Sequence, residues 1–109
     1  MAARLVAAGW SIRGRNIHAG RGELDLIAVD PGPPPALVFV EVRWRRRRDF
    51  GLGEESVDHR KRARVRAAAW RWLEEHEPPA LPIRFDVVIV EPGPTPASPV
   101  RIRHHRAAF

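Results

Sequence analysis

The chain has 109 residues, of which 44% are hydrophobic, so it is long and apolar enough to fold as one domain and wholesale disorder is not expected. Its net charge is +6, and Lys61 is the only lysine among 19 basic residues, so almost all of the positive charge is arginine. Cysteine is absent, which excludes disulfides, cysteine-ligated zinc and a cysteine nucleophile.

The arginine bias favours a phosphate-rich partner, because the planar guanidinium fork matches phosphate oxygens. A genome-wide preference for arginine explains the ratio of arginine to lysine equally well, but it does not explain why the arginines cluster. Neither a secretory signal peptide nor a membrane span is visible in the sequence, so a cytoplasmic protein with no membrane partner is expected.

The amino-terminal third predicts a short helix and a first strand. Residues 2–8 favour a helix, and Gly9 is a typical C-terminal stop for it. A strand is predicted over residues 10–17, followed by a turn at Gly20 and Gly22.

Two apolar strands follow, over residues 23–29 and 37–44. Between them lies DPGPPPA, residues 30–36, in which three consecutive prolines and a glycine cannot continue a strand. The segment therefore predicts a loop at the tip of a hairpin. In the first of these strands alternation predicts that Leu24 shares a face with Leu26 and Ala28.

A long helix is predicted after a glycine-containing linker at 49–55. Ser56 or Asp58 is its expected N-cap, and it runs to about Glu77, before two prolines. Residues at three- and four-residue spacing form its predicted inward stripe: Val57, Lys61, Val65, Ala68, Ala69 and Trp72. The opposite face carries arginines: Arg60, Arg64, Arg66 and Arg71.

Strands over 83–90 and 100–104 complete the order α-β-β-β-α-β-β. This order predicts an α/β fold in which one long helix covers a mixed sheet, in a single domain over residues 1–109.

Two carboxylates lie on the apolar strands of the hairpin. If Val29 pairs with Leu37 across the loop, Asp25 faces Glu41 on the same side of the sheet. Two half-buried carboxylates at that distance need a cation, or one of them must hold a proton. A hard divalent ion such as Mg²⁺ takes oxygen ligands of this kind, whereas pairing of each acid with its own arginine is the alternative.

Other side chains have simpler interpretations. Asp86 shares a strand face with Arg84, which predicts a structural ion pair. Trp44 is expected to pack in the core, although it and Trp70 are also candidates for stacking on exposed bases. The five histidines are not spaced as a ligand set.

Five segments together resemble the YraN-type family of uncharacterised bacterial proteins, which is similar to Holliday-junction resolvases and belongs by fold to the PD-(D/E)xK nuclease superfamily. The resemblance covers nearly the whole chain. Its motifs are GELDLI (22–27), VFVEVR (38–43), SVDHRK (56–61), RFDVV (84–88) and RAAF (106–109). It implies a restriction-endonuclease-like domain with an αβββαβ core.

The resemblance also implies a site. Asp25 and Glu41 would be metal ligands for Mg²⁺ or Mn²⁺, with the backbone carbonyl of Val42 as an extra ligand and Glu23 reaching in from the strand start. Arg43 stands where the superfamily has a lysine, and it would neutralise charge in the transition state, although it cannot serve as a base.

Lys61 matches a basic family position at the head of the long helix, facing the sheet, and a lysine that merely passes the core is the alternative. A second departure concerns the first helix. Relatives carry a longer helix with a glutamate near the metal, whereas residues 2–8 hold no acid. Either the site lacks that carboxylate or Met1 is not the native start, which mass spectrometry of the native amino terminus would decide.

The function implied is metal-dependent phosphodiester hydrolysis on structured DNA, which is favoured over RNA, by a protein that resolvase-like relatives suggest is a homodimer. A nuclease-like module that binds nucleic acid without cleaving it is the alternative, and a ribosome-associated basic protein is a third hypothesis. The residues expected to follow the nucleic-acid backbone are Arg45, Arg46, Arg47, Arg48, Arg60, Lys61, Arg62 and Arg64.

Overall fold

The structure is a computed structural model that describes residues 1–20, 22–44 and 59–109. The predicted Arg45–Arg48 contact run, the linker at 49–55, the N-cap at Ser56 or Asp58, and Val57 lie outside the described residues.

The described elements follow the predicted order. Two helices, α1 (Ala2–Ala7) and α2 (His59–Glu75), accompany five strands. The strands are β1 (Ser11–Ala19), β2 (Gly22–Asp30), β3 (Ala36–Trp44), β4 (Ile83–Glu91) and β5 (Arg101–His105). The mixed α/β fold predicted from the sequence is confirmed.

The five strands form one sheet in the order β1-β2-β3-β4-β5. Only β3 and β4 are parallel, and α2 provides the connection that a parallel pair requires. The β2–β3 hairpin has the predicted register, with Val29 opposite Leu37 and Ile27 opposite Phe39.

The short helix α1 ends as its sequence predicts. Gly9 has a φ of 93°, and its N–H donates to the carbonyl of Val6, while the N–H of Trp10 donates to that of Leu5. This pair of bonds is a Schellman motif, which a residue with positive φ makes possible. The turn directs Trp10 into the core beside Leu5.

Apolar side chains fill both faces of the sheet. On one face Leu5 and Trp10 pack over Val38, Val40 and Val88. On the other face the inward stripe of α2 packs against the sheet residues Leu24, Ile27, Leu37 and Phe39. The buried stripe residues are Val65, Ala68, Ala69 and Trp72, as predicted.

The predicted burial of Trp44 is wrong, because its exposed fraction is 73%. At this residue β3 is paired with β4 alone, since its described ladder with β2 ends at Val40. The end of β3 therefore extends beyond the part of the sheet where β2 flanks it. The alternation of apolar residues does not show where that neighbouring strand ends.

The predicted face of Leu24 is also wrong. Leu24 packs with the α2 cluster, whereas Leu26 and Ala28 belong to the opposite core. The regular pairing of β2 with β3 begins only at Leu26, so the strict alternation that holds along the ladder does not extend back to Leu24.

Candidate functional site

A cleft opens at the rim of the sheet where β2 separates from β3. The backbone ladder between these strands ends at Leu26 and Val40, and the N–H of Val42 donates instead to Oδ2 of Asp25, at 2.8 Å. A carboxylate thus takes the place of a strand carbonyl. The cleft has a volume of about 680 Å³.

Side chains from three elements line this cleft. β2 and β3 contribute Gly22, Glu23, Asp25, Glu41 and Val42, and α2 contributes Arg60, Lys61, Arg64 and Val65. The structure therefore brings the two carboxylates singled out in the sequence to the same side of the sheet. Three of the predicted basic residues face them from the helix.

Glu41 is the most buried acid of the cleft, with a side-chain exposed fraction of 6%. Its Oε1 lies 2.7 Å from Nζ of Lys61, whose side chain is 45% exposed. The pKa of Glu41 is raised by burial; the hydrogen bond from Lys61 offsets part of that rise, and the negative charge of Asp25 adds to it. The two carboxylates are thus close enough for electrostatic repulsion between them.

The contacts of Asp25 and Glu41 are not those of the alternative hypothesis, in which each acid pairs with its own arginine. Asp25 accepts a backbone N–H, and Glu41 pairs with a lysine. Arg43 is half-buried on β3, and its positive charge favours the ionised form of Glu41.

Glu23 lies at the outer edge of the cleft. Its Oε1 is 3.2 Å from Nε2 of His18 on the neighbouring strand, and its side chain is largely exposed. The sequence did not predict this contact, which draws Glu23 toward β1.

A second charged cluster lies elsewhere on the sheet, around Asp86. Arg84 donates to both oxygens of Asp86, each at 2.9 Å, and also to Asp30 at 2.9 Å. His104 Nε2 is 2.7 Å from Asp86, and the N–H of Ala107 donates to it at 3.0 Å. The sequence predicted the Asp86–Arg84 pair and missed the other members, because they come from distant segments.

Burial alone would raise the pKa of Asp86, but the hydrogen bonds from His104, Arg84 and the Ala107 N–H outweigh it and lower the pKa to about 2. Asp86 is fully buried. A carboxylate with every oxygen occupied by donors is a structural anchor rather than a site open to a ligand.

A family model described as uncharacterised protein family UPF0102 matches residues 1–90. The chain belongs to the UPF0102 family. The YraN-type resemblance read from the motifs is thereby confirmed. The matched segment contains both carboxylates of the cleft and its helix, whereas the terminal RAAF motif lies beyond it.

Individual UPF0102 proteins are similar over most of the chain. One from Frankia alni is 45% identical over 105 residues, covering 96% of this chain and 83% of its own length. One from Symbiobacterium thermophilum is 48% identical over 92 residues, covering 83% of this chain and 74% of its own length. One from Nocardia farcinica is 43% identical over 112 residues, covering all of this chain and 83% of its own length.

No helix among the residues described is both long and apolar enough to cross a membrane.

Proposed function

We propose that this UPF0102 protein binds nucleic acid and hydrolyses phosphodiester bonds with a divalent cation held between Asp25 and Glu41. The observation that carries the proposal is the meeting of these two carboxylates in one cleft, directly beneath the basic first turns of α2. Cytoplasmic DNA with branches or other secondary structure is the proposed substrate, as the resemblance to resolvases implies.

The donor set fits Mg²⁺ or Mn²⁺. Within the described ranges, no three acidic or histidine side chains converge as a complete ligand set. A cation at this position would take one oxygen or more from Asp25 and Glu41 and fill its other positions with water, phosphate or the Val42 carbonyl. Mg²⁺ commonly binds in this way, through one or two carboxylates and several waters.

Each residue of the cleft has a proposed task. A cation held there would supply a Lewis acid for the phosphoryl oxygen and would lower the pKa of the attacking water, so that hydroxide becomes available as the nucleophile. Asp25 and Glu41 hold the cation, with Glu23 as an outer-edge candidate. Arg43 stabilises negative charge that develops on the phosphate, because a guanidinium stays protonated throughout.

The basic residues bind the nucleic-acid backbone. Arg60, Lys61 and Arg64 line the cleft, so a phosphate bound beside the carboxylates would lie among their positive charges. The proposal extends this track to Arg45–Arg48. Contacts of this kind supply affinity that depends on salt and carry no sequence readout.

A nucleic-acid-binding module without nuclease activity is the second candidate. It is favoured by the ion pair between Lys61 and Glu41, which neutralises the buried carboxylate without a metal. The presence of Arg43 at the superfamily's lysine position points the same way.

A cleavage assay tests the proposal. Wild-type protein is titrated with Mg²⁺ or Mn²⁺ on a four-way junction, duplex DNA, single-stranded DNA and a structured RNA, beside Asp25→Asn and Glu41→Gln. Cleavage by the wild type that both variants abolish, with binding retained, supports the nuclease. Glu75→Gln is the control and should cleave like the wild type, because Glu75 forms an exposed ion pair with Arg71 near the carboxyl end of α2 and does not line the cleft.

The same assay separates the alternatives. Salt-sensitive DNA binding with no cleavage at any metal concentration would establish the binding module and refute the nuclease. A preference for RNA would favour the ribosome-associated hypothesis. Sedimentation of the free protein tests the proposed homodimer, which would be refuted by a single monomeric species.

A further inference from the structure

The carboxylate of Glu41 is already paired with a cationic side chain, and that residue type is unusual in this chain. Its partner is Lys61, the only lysine in a protein that otherwise uses arginine for positive charge. The ammonium sits 2.7 Å from Oε1 of Glu41, in the cleft that also holds Asp25.

The surroundings explain why Glu41 needs a counter-ion. Its side chain is almost completely buried, and Asp25 lies close enough to oppose its ionisation. A buried carboxylate without a cationic partner is strongly unfavourable. Lys61 contacts Glu41 directly, and Arg43 contributes positive charge from the same strand.

A divalent ion bound to Glu41 would occupy the space of this ammonium. A metal ion bound about 2 Å from the carboxylate oxygen would lie closer to that oxygen than the Lys61 nitrogen now does. At such a separation the positive charges of the metal ion and the ammonium repel each other. Lys61 can move, because it is half-exposed and its ammonium ends a flexible four-carbon stem.

We propose that Lys61 is an exchangeable counter-ion, which holds Glu41 in the metal-free cleft and is displaced from it when a divalent cation binds. The inference rests on the proposed metal site and adds that Lys61 and the divalent cation compete for Glu41. Lys61 thereby sets the metal concentration at which the site fills. Once displaced, its ammonium stays in the cleft beside Arg60 and Arg64, where a phosphate would arrive.

Metal affinity provides the first test, in the absence of nucleic acid. Mn²⁺ binding is measured by titration for the wild type, Lys61→Met and Glu41→Gln. Because the competing charge is gone, Lys61→Met should bind Mn²⁺ about tenfold more tightly, whereas Glu41→Gln should bind it at least tenfold more weakly. Arg4→Met removes one exposed positive charge from α1, on the opposite face of the sheet from the cleft, and should change the affinity by less than about twofold.

The single lysine provides a second test that needs no substitution. Acetylation of Lys61 in the wild type is followed by peptide mass spectrometry, with and without saturating Mn²⁺. Displacement from Glu41 should speed the modification several-fold, to the rate that Glu41→Gln shows without metal. Because this experiment uses the wild-type protein, it stands even if Lys61→Met fails to fold.

The outcomes are distinct. Mn²⁺ binding that is equal or weaker in Lys61→Met, or an acetylation rate that saturating Mn²⁺ leaves unchanged, overturns the exchange while leaving the proposed metal site intact. Absence of Mn²⁺ binding in every variant overturns the metal site itself, and the exchange falls with it.

Discussion

Single residues in this protein show how much a side chain's surroundings decide its role. Trp44 and Trp72 are both tryptophans near the end of an element, yet Trp72 is buried against Phe39, at a ring-centroid distance of 6.0 Å, while Trp44 is 73% exposed. Their contributions to stability should therefore differ widely.

We expect Trp72→Ala to lower the free energy of unfolding by about 3–5 kcal/mol, because it leaves a large cavity beneath α2. Trp44→Ala should change it by less than about 0.5 kcal/mol, as exposed substitutions usually do. Urea denaturation measures both. A large loss in Trp44→Ala would show that this ring is covered, as the alternation of β3 had predicted.

Asp86 provides a second prediction at this scale. It is buried, and the bonds from Arg84, His104 and the Ala107 N–H all end on its carboxylate. Asp86→Asn should cost about 3–5 kcal/mol of unfolding free energy, because it removes a fully buried charge on which Arg84, His104 and the Ala107 N–H converge, even though Arg84 keeps its contact with Asp30. Glu75→Gln, which breaks the exposed pair with Arg71, is the matched control and should cost less than about 0.5 kcal/mol.

The stability of the folded protein should fall at acid pH, because the pKa of Asp86 is lowered by folding. The pKa of Asp86 is about 2 in the folded protein and 3.8 for the ordinary group. The stability that it contributes is therefore fully present above the ordinary pKa and is lost as the pH falls through 3.8 toward 2. The loss should amount to about 2 kcal/mol in the wild type and should be missing from Asp86→Asn, as denaturation between pH 2 and 6 would show. Equal acid sensitivity of the two proteins would contradict this assignment.

At the scale of elements, the contact between the start of β2 and α2 positions the cleft. A Cβ at Gly22 would lie 2.8 Å from the carbonyl oxygen of Arg64 and 3.0 Å from Cβ of Ala68. Only glycine therefore allows the strand to approach the helix this closely. This contact gives a physical reason for the first residue of the GELDLI segment.

Gly22→Ala should lower the free energy of unfolding by about 1–3 kcal/mol and tighten Mn²⁺ binding, because it pushes the helix that carries Lys61 away from Glu41 and so weakens the competing positive charge. Gly14→Ala is the control. Its new Cβ would meet side-chain atoms of Ile17 and Ile27 at 3.2–3.4 Å, and side chains adjust more readily than backbone. Equal metal affinity in Gly22→Ala and the wild type would show that the contact between Gly22 and α2 does not control the metal site.

Most elements were predictable because their signals are local. The β2–β3 register follows from the apolar runs around the proline-rich loop, and with it the approach of Asp25 to Glu41. The end of α1 at Gly9 and the inward stripe of α2 follow from glycine geometry and helical spacing.

Contacts between distant segments were not predictable in the same way. The Lys61–Glu41 pair depends on where α2 crosses the sheet, which no local pattern specifies. The same holds for His104 and Asp30, which reach the Asp86 cluster from segments far apart in sequence. The sequence therefore indicates that Asp25 and Glu41 lie on the same side of the sheet, but it does not identify Lys61 as the partner of Glu41.

At the scale of the whole molecule, the net charge of +6 predicts salt-dependent binding to nucleic acid. If Arg60 and Arg64 each contact a phosphate of duplex DNA, replacing either with alanine should lower the slope of log K against log salt concentration by about 0.9. Arg101→Ala, on the exposed edge strand β5, should leave the slope unchanged. A slope near zero in the wild type would argue against nucleic acid as the partner.

The central claim is that the carboxylates of two neighbouring strands form a cation site at the rim of the sheet. Anomalous diffraction from crystals soaked in Mn²⁺ tests it most directly. The account predicts a peak about 2 Å from oxygens of both Asp25 and Glu41, with Nζ of Lys61 moved away. Fully soaked crystals with no peak between these side chains, and with Lys61 still bound to Glu41, would contradict it.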